Sequence, residues 1–164
     1  MRFLKKFLLV LLVIFLLIQF YPRAKKNVAT AASGNEISAK FTVPENVQSV
    51  LKVSCYDCHS NNTVYPWYSH IQPVSWWLNN HIVDGKKELN FSEFSSYSLR
   101  KQYKKLEEIG DQVEHDEMPL SSYTLIHTNA KLNADQKALL INWSKAMMDT
   151  MKAHYPADSL LRKK

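Results

Sequence analysis

The only two cysteines of the 164-residue chain stand three positions apart and are followed at once by a histidine: Cys55-Tyr56-Asp57-Cys58-His59. This pentapeptide constrains the chain more than any other stretch. Two thiols at that spacing suit addition to the two vinyl groups of a porphyrin, giving two thioethers. The histidine that follows then lies beneath the iron, where an imidazole nitrogen serves as proximal ligand. The pattern predicts one covalent haem c carried by Cys55 and Cys58, with His59 on the metal. Other uses of a Cys-x-x-Cys pair stay open here. A thioredoxin-like redox pair wants a βαβ pattern around it, and none is visible. A zinc site wants two further ligands at tight spacing, whereas His70, His81, His115, His127 and His154 are scattered. A disulfide between the two closes a very short, strained loop.

The formal charge of +6 is unevenly distributed. Residues 1–26 hold six basic side chains and no acid, leaving 15 basic against 15 acidic residues in the remainder. No basic patch suited to nucleic acid needs explaining. The excess belongs to a short basic start, Met1–Lys6, and to Arg23, Lys25 and Lys26. Between them lies the apolar run Phe7–Ile18, extended past Gln19 by Phe20 and Tyr21. Residues 1–22 therefore read as a signal peptide or an uncleaved signal anchor. Ala29-Thr30-Ala31 has the small residues of a cleavage site but lies well beyond the apolar run, so a retained anchor is expected. It would put the domain on the periplasmic side of the inner membrane, with a secreted periplasmic form as the alternative. Residues 23–40, polar and rich in Ala, Ser, Asn and Lys, read as a flexible linker. Residues 41–155 read as the domain, and 156–164 as a basic tail.

Apolar periodicity in the domain is helical throughout, which predicts an all-α fold. Pro44 suits the first turn of a helix carrying Val47, Val50, Leu51 and Ser54 into the cysteines. Pro73 opens a second, with Val74, Trp76, Trp77, Ile82 and Val83 along it. Trp76 and Trp77 cannot face the same way, and one is expected on the haem. Leu99, Tyr103, Leu106, Ile109 and Val113 recur at three and four residues, predicting a helix from about Ser98 to Val113. Asn133, with Gln136 three residues on, opens a last helix over about Ala134–Ala153. Met147, Met148 and Met151 are placed in its core-facing stripe.

An iron held by His59 has one axial position left. Met118 is the expected occupant. Its thioether is neutral and soft, and Pro119 holds it in an irregular loop. His70 and His81 are rival ligands, and an open position is a third possibility. His115 and His127 bracket Met118 and are candidates for a hydrogen bond near a haem propionate. The order of motif, Met-Pro loop and final helix resembles that of small monohaem cytochromes c.

Several stretches together resemble the bacterial haem-binding domain family: Cys-Tyr-Asp-Cys-His-Ser-Asn-Asn-Thr at 55–63, Tyr-Pro-Trp-Tyr-Ser at 65–69, Pro-Val-Ser-Trp-Trp-Leu at 73–78, Asn-Phe-Ser-Glu-Phe at 90–94 and Glu-Met-Pro-Leu-Ser-Ser-Tyr-Thr-Leu-Ile-His at 117–127. The resemblance implies an exported or anchored protein with one c-type haem at Cys55, Cys58 and His59. It names neither reaction nor partner. The residues favour a single-electron carrier serving redox partners of a respiratory or periplasmic chain. A peroxidase-like enzyme would need a labile sixth position and a nearby acid–base group. A haem-based sensor would need Met118 displaced by a gas ligand.

Overall fold

The computed structural model describes residues 2–161, so Arg162–Lys164 of the basic tail lie outside the described residues. Among the described residues the fold is all-helical, without a strand. α1 spans Arg2–Ile18, α2 Glu45–Ser54, α3 Tyr56–His59, α4 Val74–Glu88, α5 Leu99–Glu114, α6 Ser121–Thr124, α7 Ala134–His154 and α8 Ala157–Leu160. The frame is the pair α5 and α7, against which α2 and α8 pack. Leu51, Leu106 and Leu140 meet in the core with no exposed surface, joined by Phe94 from the short 3-10 segment Phe91–Ser96.

Each frame helix starts where a side chain satisfies its first free amides. Ser98 accepts from the amide of Lys101 at the head of α5. Asn133 and Gln136 form a reciprocal capping box on α7, with both bonds near 3 Å. In α2 the predicted stripe Val47, Val50, Leu51 and Ser54 is the buried face. Met151 is buried, and Met147 and Met148 pack against the core, as the helical spacing predicts. The tryptophans go elsewhere than expected. Trp76 packs edge-to-face on Tyr21 and Trp77 lies on His81, because α4 turns its small residues, not its indoles, toward the motif.

The apolar N-terminal run forms α1, 17 residues with none buried. At 1.5 Å per residue it measures about 25 Å, against about 30 Å of bilayer hydrocarbon. Among the described residues no helix is long and apolar enough to cross a membrane.

Residues 23–40 do not behave as the loose linker their composition suggests. Asn27 makes five hydrogen bonds to the domain. Its backbone amide donates to the Tyr65 hydroxyl (2.8 Å), and its carbonyl accepts from the Thr63 amide (2.9 Å). Its side-chain amide donates to the Ser60 carbonyl (2.8 Å) and the Thr63 hydroxyl (2.9 Å), and its side-chain oxygen accepts from Lys86 (2.6 Å). The Ala29 amide donates to the Asn61 carbonyl, and Ile37 is buried in the core. Polar composition argues for disorder only where no partner is waiting. Here the turn after the histidine motif offers its own unpaired backbone groups. Asn27→Ala removes three side-chain hydrogen bonds at a net of roughly 0.5–1.5 kcal/mol each. The variant is expected to lose about 2 kcal/mol of stability, read as a lower midpoint in thermal unfolding followed by circular dichroism.

Candidate functional site

The motif lies where α2 hands over to α3. The Cys55 amide closes the last turn of α2 on the Leu51 carbonyl, and the Cys55 carbonyl accepts from the Cys58 and His59 amides. Both thiols and the imidazole are thereby fixed on one short helical turn. α4 lies directly on this turn at Gly85. A β-carbon at that position would stand 2.8 Å from the Cys58 carbonyl oxygen and 3.2 Å from its β-carbon, so only glycine fits the approach.

Four residues beyond Gly85, the Leu89 carbonyl accepts the Nδ1 proton of His59 at 3.0 Å. That bond selects the tautomer whose Nε2 keeps a free lone pair, the form that ligates a metal. Burial holds the imidazole below the ordinary histidine range, opposed in part by the Leu89 bond, so His59 is neutral near pH 7.

Two adjoining cavities of about 210 and 370 Å³ open on either side of this imidazole. They share Ser54, Cys55, His59, Glu88, Met118 and Pro119. The larger is closed by Phe91, Ile109 and Val113, and the smaller by Leu120 and Tyr123. The larger falls in the range of about 300–1,000 Å³ usual for cofactor-sized ligands.

Met118 comes to both cavities through the end of α5. Asp116 adopts a left-handed conformation (φ 59°), which turns the chain so that the Glu117 and Met118 amides both donate to the Gln112 carbonyl. Lys137 of α7 forms an ion pair with the Asp116 carboxylate. On the far side of Met118, the Tyr123 hydroxyl donates to Asp57 at 2.8 Å, inside the motif itself. Burial, reinforced by the Asp57 carboxylate, pushes the Tyr123 hydroxyl up, so it stays a donor.

The structure thus brings together Cys55, Cys58, His59 and Met118. Of the rival ligands, His81 lines the smaller cavity beside Met118. Its Nδ1 is engaged with the Trp77 carbonyl at 2.8 Å. His70 is exposed and borders neither cavity. His115 is exposed and donates to the Asp111 carbonyl, while His127 is bonded to the Tyr68 hydroxyl. Neither borders the two cavities. Lys105, nearly buried, reaches the rim of the larger cavity. Burial works against its charge, but Glu108 (2.6 Å) and Glu88 (3.3 Å) more than offset that. Gly85, Leu89, Asp57 and Tyr123 were not singled out from sequence. Their only signal was their place inside the family-like stretches or beside the motif.

The chemistry of the thiols bears on the competing readings. Burial pushes Cys55 up to about 12 and Cys58 to about 11, with mutual repulsion and the Asp57 charge adding to it. A redox pair needs a depressed thiol, and these are the reverse. Among the described residues, no three His, Cys, Asp or Glu side chains converge as a metal site would require. The donors that do converge, two thiols, a neutral imidazole with a free Nε2 and a thioether around an apolar cleft, suit a haem.

The chain matches the haem-binding domain family over residues 13–146. It belongs to that family. The match begins inside α1, so the end of that helix and the Asn27 segment fall within the family's pattern. No protein of curated function and no solved structure matches the chain.

In the haem-free folded protein, the raised thiol values lower the thiolate population near neutrality. Alkylation by iodoacetamide at about pH 8 is expected to run at least about tenfold slower than in urea, where thiols return to their ordinary value. Mass spectrometry of the modified cysteines checks it.

Proposed function

We propose that this haem-binding domain carries one covalent haem c, with thioethers from Cys55 and Cys58, His59 as proximal ligand and Met118 as distal ligand, and that it passes single electrons. The observation that carries the reading is the convergence of Met118 with the motif on both cavities. When bound, the haem supplies an iron that changes oxidation state one electron at a time. The chain's own contribution is positional. Leu89 fixes the plane and tautomer of His59. The Asp116 turn aims Met118, and Tyr123 ties that loop back to the motif. Phe91, Ile109 and Val113 keep one side dry, an environment that, like a neutral thioether, favours the less charged ferrous state.

Bond chemistry at the iron would want an acid–base group in the cleft. The two histidines considered for that part, His115 and His127, stand outside it. This supports a carrier over a peroxidase-like enzyme. The proposal extends to location. Covalent haem c is attached outside the cytoplasm, so α1 serves as export signal and holds the domain at the membrane. A helix a few ångströms short is accommodated by local thinning and by flanking charges reaching the headgroups.

Met118→Ala is expected to give high-spin ferric iron and a lower reduction potential, read by visible and near-infrared spectra and by redox titration. An unchanged spectrum and potential would refute the ligand assignment. Cys55→Ser combined with Cys58→Ser is expected to leave haem extractable by acid acetone. Haem retained by that double variant would refute covalent attachment.

A further inference from the structure

Two segments of the chain hold no Asp, Glu, Lys or Arg: residues 58–83 and 118–130, in a chain where 22% of residues are charged. The fold brings them together. The Tyr68 hydroxyl of the first is hydrogen-bonded to His127 Nε2 of the second at 2.5 Å. His127 stacks flat on Tyr123, with ring centres 4.3 Å apart and planes at 14°. Trp67 stands edge-to-face against Tyr68 at 5.8 Å.

This junction carries the most exposed large apolar side chains beyond the N-terminal apolar stretch: Leu125 (80%), Val64 (78%), Trp67 (76%) and Ile126 (61%). Their placement is not a loose-loop effect. The Val64 amide donates to Asp57 at 2.9 Å, and Asp57 also holds Tyr123. The segment Trp67–His70 is a 3-10 turn, and the Leu125–His127 amides are bonded back into α6 and its preceding turn. Leu120 and Tyr123, which border the smaller cavity, belong to the same surface. An exposed, rigidly held apolar patch of this kind marks an interaction site.

We propose that this uncharged face is where a redox partner docks, and that the partner presents an uncharged apolar face in return. The proposal rests on the electron-carrier reading of the site. One electron passes between the haem and the partner's centre, one being oxidised as the other is reduced, with no bond made and no proton moved. A charged partner surface would leave its own charges desolvated against a face that offers no counter-charge. A lipid surface is the weaker fit, because faces that bind anionic bilayers carry Lys or Arg, and this one has none.

The test measures oxidation and reduction of the full-length, haem-loaded protein, embedded in detergent or vesicles, by respiring membranes plus periplasmic extract of the source organism. Wild type is compared with Trp67→Ser combined with Leu125→Ser, and ascorbate serves as a small reductant that needs no docking face. The double variant is expected to keep the wild-type spectrum and ascorbate rate. Its exchange with the biological partner should fall about tenfold, the effect of losing one strong interface anchor. The wild-type rate should change less than about twofold between roughly 0.02 and 0.5 M salt. Equal partner rates in the two proteins, or a steep fall with salt, would overturn the proposal. If brominated phospholipid in protein-free vesicles quenches the fluorescence that Trp67→Phe removes, lipid covers the face and the proposal also falls. A wild-type protein with a haem spectrum that exchanges no electrons at all would sink the carrier reading instead.

Discussion

Gly85 has no β-carbon, and α4 uses that to lie against the backbone of Cys58. Much of the site follows from this contact. It sets the height of α4 over the motif, which puts the Leu89 carbonyl within hydrogen-bonding distance of His59 Nδ1. It brings Glu88 to the border of both cavities and carries Lys86 to the side-chain oxygen of Asn27. A larger residue would lift the helix by a few tenths of an ångström or more. Imidazole orientation, cavity wall and N-terminal clasp would then shift together, because close-packed interiors transmit displacement instead of absorbing it.

Around this contact the chain fastens the motif from three directions. α2 feeds it from the core through the Leu51–Cys55 bond. Asn27 and Ala29 hold the turn that follows it. Asn61 in that turn is gripped again by Ser92, Glu93 and Asn90, which themselves follow α4. A pentapeptide of ordinary flexibility thus becomes a rigid mount, which a site must have if its ligands are to meet a metal without a large ordering cost.

How far the sequence alone leads depends on whether a signal is local. α2, α5 and α7 were legible because periodicity, Ser98 and the Asn133–Gln136 box act within a few residues. Cys55, Cys58 and His59 were legible because their chemistry is written in their spacing, and Met118 because proline marks the loop that carries it. Gly85 was not, since nothing around it says that a cysteine backbone lies on top of it. Asn27 was hidden in a polar stretch, and its five partners all come from residues 60–86. The tryptophan pair was misread because indole size suggests a cofactor wall, while the helix rotation that decides the matter is set by Gly85 on the opposite face.

The bond from Tyr123 to Asp57 has a consequence for ligand exchange. It staples the loop a few residues past Met118 to the middle of the attachment motif, and the Gln112 cap staples it just before. A sulfur released from the metal therefore does not drift into bulk solvent. It stays at high effective concentration, as any group on a short closed loop does. An incoming small molecule then competes not with a free thioether in solution but with one that returns as soon as it leaves, so even a weak iron–sulfur bond acts as a persistent one.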